Sequence, residues 1–229
     1  MRLLLFDVDG TLLSARGAGR RAVKAALECV YGTCAGIDEY DLRGKTDQRI
    51  LFDVMQAAGL ARETVKERLD DFFAAYARGL AHEIGDGRDV VTLPGVADLI
   101  PRLGKVDEVL LGLLTGNIEE GARIKLGPTG LWRYFAVGAF GSDDLDRRRL
   151  PSLAARRAQA LIGYPFRPEQ VLVIGDTPLD IECARAFGAV AVAVATGFHS
   201  RAELMTERPD LLFDDLSDIE RVLAALLER

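Results

Sequence analysis

The chain has 229 residues, of which 49% are apolar and 28% are charged, and its net charge is −6. This composition is typical of a globular protein with a sizeable core, and the negative charge argues against a general nucleic-acid binder, which needs a positive field. Three cysteines without CxxC spacing and the lack of a long apolar stretch predict a cytoplasmic protein with neither disulfides nor a membrane span.

Short apolar runs alternate with helical patterns along most of the chain. The runs cover residues 3–6, 109–114, 134–140, 171–174 and 190–195. Because runs that are apolar on both faces and separated by helices are typical of buried parallel strands, the pattern predicts an α/β fold with helices on both sides of the sheet. Residues 211–229 predict a final short strand and a closing helix.

The stretch between residues 17 and 82 interrupts this alternation. It contains three amphipathic helical patterns, at 18–30, 46–58 and 62–82, and no convincing strand. We therefore predict an all-helical domain inserted at 17–87, with 1–16 and 88–229 forming the α/β core. Glycines and acidic residues at 85–89 indicate the returning linker, and Pro94-Gly95 opens the next core helix.

The segment from Asp7 to Thr11 follows the first predicted strand directly. It reads Asp-Val-Asp-Gly-Thr, so the carboxylates of Asp7 and Asp9 are separated by one residue. Since open α/β sheets bind ligands at the carboxyl ends of their strands, one carboxylate could be a nucleophile or metal ligand and the other an acid or base. The alternative is an acidic turn, because Asp and Gly are common turn residues.

Two further predicted strands also end in polar segments. Thr115, Gly116 and Asn117 follow the run at 109–114 and could bind an anion, although this segment alone is better interpreted as a helix cap. Asp176 and Asp180 follow the run at 171–174, where a turn and helix start is again the alternative. Three polar strand ends at one edge of a sheet are much less expected by chance, which favours a shared site.

Together these segments resemble the haloacid dehalogenase-like hydrolase superfamily. Residues 7–11 match its first motif, a hydrophobic strand followed by Asp-x-Asp-Gly-Thr, and Thr115 matches the Ser/Thr of its second. Asp176 and Asp180 match the Gly-Asp-x-x-x-Asp form of its fourth motif. The resemblance covers nearly the whole chain and implies a Rossmann-like, doubly wound parallel sheet. The inserted helices look like the cap of the phosphoglycolate phosphatase and β-phosphoglucomutase branch.

The third motif departs from the family pattern, which supplies a Lys just before a helix. Residues 146–151 read Asp-Arg-Arg-Arg-Leu-Pro and contain no Lys. Counting back from the helix through 158–163 puts Arg149 in the Lys position as a phosphate-binding cation, with Arg147 as the rival. Arg keeps the positive charge but is not a geometric copy of Lys. The alternative is a solvated basic turn.

The resemblance implies a Mg²⁺-dependent phosphomonoester hydrolase that acts on a small phosphorylated metabolite through an aspartyl-phosphate intermediate. Asp7 would attack phosphorus, and Asp9 would protonate the leaving oxygen and later activate water. The phosphoryl group would be held by Thr115, Gly116, Asn117 and Arg149. Mg²⁺ would be bound by Asp7, Asp176 and the carbonyl of Asp9, with Asp180 supporting the acidic cluster. The implied partner is a small phosphate ester, without nucleic acid or membrane, and the protein would be a monomer or homodimer.

Three alternatives to a phosphatase stay open. A β-phosphoglucomutase-like phosphoryl transferase uses the same Asp-x-Asp pair. A dehalogenase is less expected, because those relatives lack the acid at the position of Asp9 and need no metal. A catalytically silent binding module is disfavoured because Asp7, Asp9, Thr115 and Asp176 are all present.

A basic segment precedes the second inserted helical pattern. Arg43 and Lys45 lie just before Thr46, where a helix N-terminus could hold a second anionic group of the substrate. A plain helix start with exposed charges is an equally good interpretation.

Overall fold

The computed structural model describes residues 1–34 and 36–228. Its strands are β1 (Arg2–Phe6), β2 (Leu13–Ser14), β3 (Val91–Thr92), β4 (Val109–Leu114), β5 (Val137–Ala139), β6 (Val171–Gly175), β7 (Val190–Val194) and β8 (Leu211–Phe213). In this part of the chain, six strands form a parallel sheet in the order β5-β4-β1-β6-β7-β8, and β2 pairs with β3 in a separate antiparallel ribbon.

Helices fill most of the remaining chain. They are α1 (Ala18–Tyr31), α2 (Asp47–Ala57), α3 (Arg62–Glu67), α4 (Leu69–Ile84), α5 (Val96–Leu103), α6 (Glu119–Leu126), α7 (Leu150–Ile162), α8 (Pro178–Phe187), α9 (Arg201–Thr206) and α10 (Ile219–Leu227). Short 3₁₀ turns lie at Gly127–Thr129, Trp132–Tyr134, Arg147–Arg149 and Pro168–Gln170. Within the described residues, no helix is both long and apolar enough to cross a membrane.

The sheet is covered on both faces, as a doubly wound fold requires. Successive side chains of a strand point to opposite faces, and in β1 Leu3 and Leu5 join one buried cluster while Leu4 and Phe6 join the other. The first cluster takes apolar side chains from α7 and α8, and the second takes them from α5, α6 and α10. The predicted α/β class is confirmed.

The segment between β2 and β3 is helical, as the sequence predicts. Helices α1, α2 and α4 add Val23, Leu27, Leu51 and Phe72 to the same buried cluster that contains Phe6. The helical pattern at 62–82 is two helices rather than one, since the backbone at Arg68 (φ −113°, ψ 18°) leaves the helical region.

Two other predictions about elements have mixed outcomes. The run at 134–140 gives only a three-residue strand, β5, because Trp132–Tyr134 forms a 3₁₀ turn before it. The final strand and closing helix are confirmed as β8 and α10. The ribbon of β2 and β3, which brackets the helical insertion, was not predicted, since each strand has only two residues.

Candidate active site

The three polar segments meet because their strands are neighbours in the sheet. β1 lies between β4 and β6, so the residues after Phe6, Leu114 and Gly175 emerge side by side. A cavity of about 470 Å³ opens at this edge and is lined by both the sheet loops and the inserted helices. Asp7, Thr115 and Asp176 are all buried in its wall.

The turn after β1 packs against the segment that follows β6. Gly10 has φ +82°, a left-handed conformation that favours glycine, and a Cβ there would collide with the carboxylate of Asp176. The hydroxyl of Thr11 donates a hydrogen bond to Asp176 Oδ1 at 3.1 Å. Gly10 and Thr11 thus fix the position of the Asp176 carboxylate.

Three buried carboxylates cluster at the base of the cavity, and two of them, Asp7 and Asp176, line it. Oxygens of Asp7, Asp176 and Asp180 all lie within 4.8 Å of one another. Burial raises the pKa of Asp7 to about 6, with Arg147 acting in the opposite direction, and burial together with Asp7 raises the pKa of Asp176 well above its ordinary value. Such a cluster of oxygen ligands fits a hard divalent cation.

Arg147, not Arg149, is the cation of this cluster. Its side chain is 7% exposed, and its Nη2 lies 2.5 Å from Asp180 Oδ1 and 3.3 Å from Asp7 Oδ1. Burial opposes charge on the guanidinium, but Asp180 and Asp7 outweigh it, so the pKa of Arg147 rises above its ordinary value. Asp180 also accepts hydrogen bonds from the backbone N–H and hydroxyl of Thr177, so it holds Arg147 in place.

The expectation that Arg149 faces the site is wrong. Its side chain is 73% exposed and pairs with Asp144 at 3.4 Å. The reason is the 3₁₀ turn at Arg147–Arg149, which Asp146 caps by accepting a hydrogen bond from the backbone N–H of Arg148. Because a 3₁₀ turn advances each residue by about a third of a turn, Arg147 points inward while Arg149 points to solvent. The floor of the cavity, as the term is used below, consists of Asp7, Thr115, Arg147 and Asp176 together with Asp180, which binds Arg147.

The segment after β4 packs against the first one. Thr115 is fully buried and lowers the pKa of Asp7, and its Oγ1 accepts a hydrogen bond from Asn117 Nδ2 at 2.9 Å. Asn117 Nδ2 also donates to Asp9 Oδ2 at 2.8 Å. Thr115 and Asn117 are therefore at the site as predicted, whereas their roles toward a phosphoryl group stay a prediction.

A second buried cation was not predicted from the sequence. Lys125 on α6 is 4% exposed and donates to Asp9 Oδ2 and to Asn117 Oδ1, each at 2.6 Å. Helical spacing in the sequence does indicate that Lys125 is buried. It lies four residues after Gly121 and three after Ala122, so it shares their buried face of the helix.

Asp47 was also missed, because it reads as an ordinary first residue of a helix. Its carboxylate accepts a hydrogen bond from the backbone N–H of Ile118 at 2.7 Å, and its own N–H donates to the carbonyl of Gly116 at 2.7 Å. Burial raises the pKa of Asp47 to about 7, with Lys125 acting in the opposite direction.

The inserted segment touches the floor through its backbone. Arg147 Nη1 donates to the carbonyl of Gly44 at 3.1 Å, and the hydroxyl of Thr46 donates to the carbonyl of Leu145 at 3.0 Å. A Cβ on Gly116 would collide with the carbonyl of Lys45, so a glycine is needed where the two segments meet.

The outer rim of the cavity, called the mouth below, is formed by Arg43, Lys45 and Phe198. The guanidinium of Arg43 lies 3.8 Å from the ring centroid of Phe198, which is 77% exposed, and it also pairs with Asp41 through two hydrogen bonds of 2.6 and 2.9 Å. The hydrogen bond from Arg43 lowers the pKa of Asp41. Lys45 Nζ lies 4.0 Å from the ring centroid of Tyr40.

Sequence comparisons found proteins that this chain resembles. A family model described as HAD-hydrolase-like matches residues 148–219. The chain is 29% identical over 233 residues to the phosphoglycolate phosphatase of Synechococcus elongatus, and the match covers 100% of both proteins.

Solved structures with similar folds cover nearly all of the chain. A hydrolase from Pseudomonas syringae has a TM-score of 0.71 and 23% identity, with 99% of each chain covered. A candidate β-phosphoglucomutase from Thermotoga maritima has a TM-score of 0.61 and 19% identity, with 99% of this chain and 100% of that chain covered. At these identities, the structures establish the fold alone.

Proposed function

We propose that this chain, which belongs to the haloacid dehalogenase-like hydrolase superfamily and is similar along its length to a phosphoglycolate phosphatase, is a Mg²⁺-dependent hydrolase of a small phosphate monoester. It is a phosphatase, since relatives named phosphoglycolate phosphatase match it along its whole length. The metal, the covalent intermediate and the size of the substrate are the finer parts of the proposal.

The observation that carries the proposal is the excess of negative charge at the floor. Three buried carboxylates share one guanidinium, and burial raises the pKa of two of them, Asp7 and Asp176. An unpaired buried charge is costly, so a site that needs these groups ionised also needs a further cation. Mg²⁺ prefers carboxylate and carbonyl oxygens, and we assign it to Asp7, Asp176 and the carbonyl of Asp9. It would neutralise charge on the phosphoryl oxygens.

The first chemical step would belong to Asp7 and Asp9. A carboxylate oxygen of Asp7 would form a bond to phosphorus while the bond from phosphorus to the leaving oxygen breaks, and Asp9 would give its proton to that oxygen. Thr115 and Arg147 would donate hydrogen bonds to the transferring group. Arg147 Nε suits this role, because it is buried and has no hydrogen-bond partner in the described part of the chain.

In the second step, Asp9 would take a proton from water as that water attacks phosphorus. The bond between phosphorus and Asp7 then breaks, and phosphate leaves with both carboxylates restored. Because Asp7 must start ionised, its pKa, which stays at about 6 although Arg147 lowers it, would need to be lowered further by the bound cation.

We also propose that residues 17–87 act as a cap domain on a core of 1–16 and 88–229. The ribbon of β2 and β3 provides two short connections at the boundary of this insertion, and the inserted Gly44 and Asp47 contact the floor and the segment after β4. A cap of this kind would exclude water until the intermediate has formed.

The test is a phosphate-release screen over phosphorylated metabolites, with and without Mg²⁺, that includes 2-phosphoglycolate because relatives are named for its hydrolysis. We expect release from at least one ester only when Mg²⁺ is present. The Asp7→Asn variant, purified in the same way, controls for contaminating phosphatases. Isomerised phosphosugar without phosphate release would favour the transferase, and no turnover on any ester would favour a silent binding module.

A further inference from the structure

The carboxylate of Asp9 is held at one of its two oxygens. Lys125 Nζ at 2.6 Å and Asn117 Nδ2 at 2.8 Å both donate to Oδ2, and these are the hydrogen bonds that the described residues make to this carboxylate. The side chain of Asp9 is nevertheless 44% exposed and lines the cavity. Asp9 therefore presents Oδ1 as its unbound oxygen.

Lys125 is fixed more firmly than a surface lysine. It is almost fully buried, and its second hydrogen bond goes to Asn117 Oδ1, so the three side chains form a closed ring of contacts. The residue just before α6 is bound to the inserted segment, because the backbone N–H of Ile118 donates a hydrogen bond to the carboxylate of Asp47. A Cβ on Gly19 would already lie 3.3 Å from Nζ, which shows how closely α1 approaches the ammonium.

We propose that Lys125 is the positioning residue for the general acid and base of this enzyme: it binds Oδ2 of Asp9 and thereby leaves Oδ1 to exchange the proton with the substrate. This inference rests on the proposed function. In the first step, the Oδ1–H bond breaks and the proton goes to the leaving oxygen as the P–O bond to it breaks. In the second step, water returns a proton to Oδ1. Lys125 keeps its own protons throughout.

A purely structural role predicts a different outcome. A buried lysine could simply compensate the charge of Asp9, in which case its loss would disturb the site for all substrates equally. A positioning role instead concerns proton transfer, so the loss should depend on how much the leaving group needs a proton. Phenyl phosphate and p-nitrophenyl phosphate differ by one substituent, and phenolate is the more basic leaving group.

The experiment measures kcat/KM of Lys125→Met with both esters in Mg²⁺, because this quantity covers the steps up to the phosphoenzyme. General acid help is worth about 10²–10⁴-fold, so we expect a loss of about 10²-fold with phenyl phosphate and of less than about tenfold with p-nitrophenyl phosphate. Lys66→Met, the same change at an exposed position of α3, should alter neither value. Lys125→Arg, which keeps a cationic donor, should recover part of the loss.

Equal losses with both esters, or no loss, would overturn the inference. If Lys125→Met does not fold, Lys125→Gln keeps a neutral donor and should show the same contrast at smaller size. In an Asp9→Asn background, Lys125→Met should cost little more with phenyl phosphate, because the group that it positions is gone. A further full loss there would contradict the inference. A wild-type enzyme that releases phosphate neither from these esters nor from any metabolite of the screen would overturn the proposed function and this inference with it, whereas an active enzyme with equal losses overturns the inference alone.

Discussion

The carboxyl groups at the floor and beside the mouth of the cavity have pKa values shifted in opposite directions. At the floor, burial raises the pKa of Asp7 and Asp176, and Arg147 only partly offsets it. At the mouth, Arg43 is already paired with Asp41, and its hydrogen bond lowers the pKa of that carboxyl.

This difference indicates which end of the cavity is complete without a ligand. The guanidinium of Arg43 and the carboxylate of Asp41 neutralise each other in high-dielectric surroundings, where such a pair contributes little. At the floor, three buried carboxylates share one guanidinium. For all three to be ionised together, we infer that the floor needs a further cation. We infer that chemistry depends on the floor, while the mouth adjusts affinity.

The largest expected effect follows from removing the metal. With EDTA, turnover should fall by roughly 10³-fold or more, since a bound cation contributes several kcal/mol of transition-state stabilisation, and Mg²⁺ should restore it. The measurement is phosphate release before and after addition of Mg²⁺. Full activity in metal-free buffer would remove the distinction between floor and mouth and would favour a dehalogenase-like site.

A conservative change at Arg147 should come next. Arg147→Lys keeps the charge but cannot reach Asp7, Asp180 and the carbonyl of Gly44 at once, so kcat should fall by about 10–10²-fold. Arg149→Lys, two residues away and exposed, should leave kcat unchanged. Similar losses of kcat in the two variants would show that the contacts of Arg147 with Asp7 and Asp180 do not support turnover.

Asp47 gives a test of the buried charges through stability. Its folded-state pKa of about 7 lies above the ordinary 3.8, so its contribution to stability is fully present below about pH 4 and is lost as pH rises through 7. Asp47→Asn should therefore flatten this fall and stabilise the protein at pH 7 by on the order of 1 kcal/mol. Urea unfolding between pH 5 and 8 measures it, and Asp41→Asn at the mouth is the control. A variant less stable than wild type at pH 7 would contradict the assignment.

The smallest effect is expected at the mouth. Lys45→Ala should raise KM for 2-phosphoglycolate by about two- to fivefold with kcat nearly unchanged, because a charge on a partly exposed side chain contributes about 1 kcal/mol or less. With p-nitrophenyl phosphate, which lacks a second anionic group, KM should hardly change. Equal increases for both substrates would rule out recognition of a second anion by Lys45.

The floor was largely predictable because its residues follow strand ends. Asp7, Thr115 and Asp176 each come directly after an apolar run, and parallel strands bring such positions to one edge. The choice between Arg147 and Arg149 was not predictable by counting back from the helix, since the 3₁₀ turn before α7 rotates the three arginines differently.

The buried contacts between distant segments were beyond the sequence. Lys125 is 116 residues from its partner Asp9, and Asp47 is 71 residues from Ile118. Neither pairing has a local pattern, because the packing of α6 in the core decides the first and the path of the inserted α2 across the sheet edge decides the second. The break at Arg68 was hidden for a similar reason: the apolar face continues across it, so periodicity indicated one long helix.

The account depends most on Asp7 as the nucleophile, and trapping the intermediate tests this directly. Asp9→Asn should slow attack by water, so acid quench after mixing with p-nitrophenyl phosphate and Mg²⁺ should give protein carrying one phosphoryl group, located by mass spectrometry on the peptide that contains Asp7. Asp7→Asn should give none, because an amide is a poor nucleophile. A phosphoryl group on another residue, or a phosphoenzyme formed by Asp7→Asn, would contradict the account.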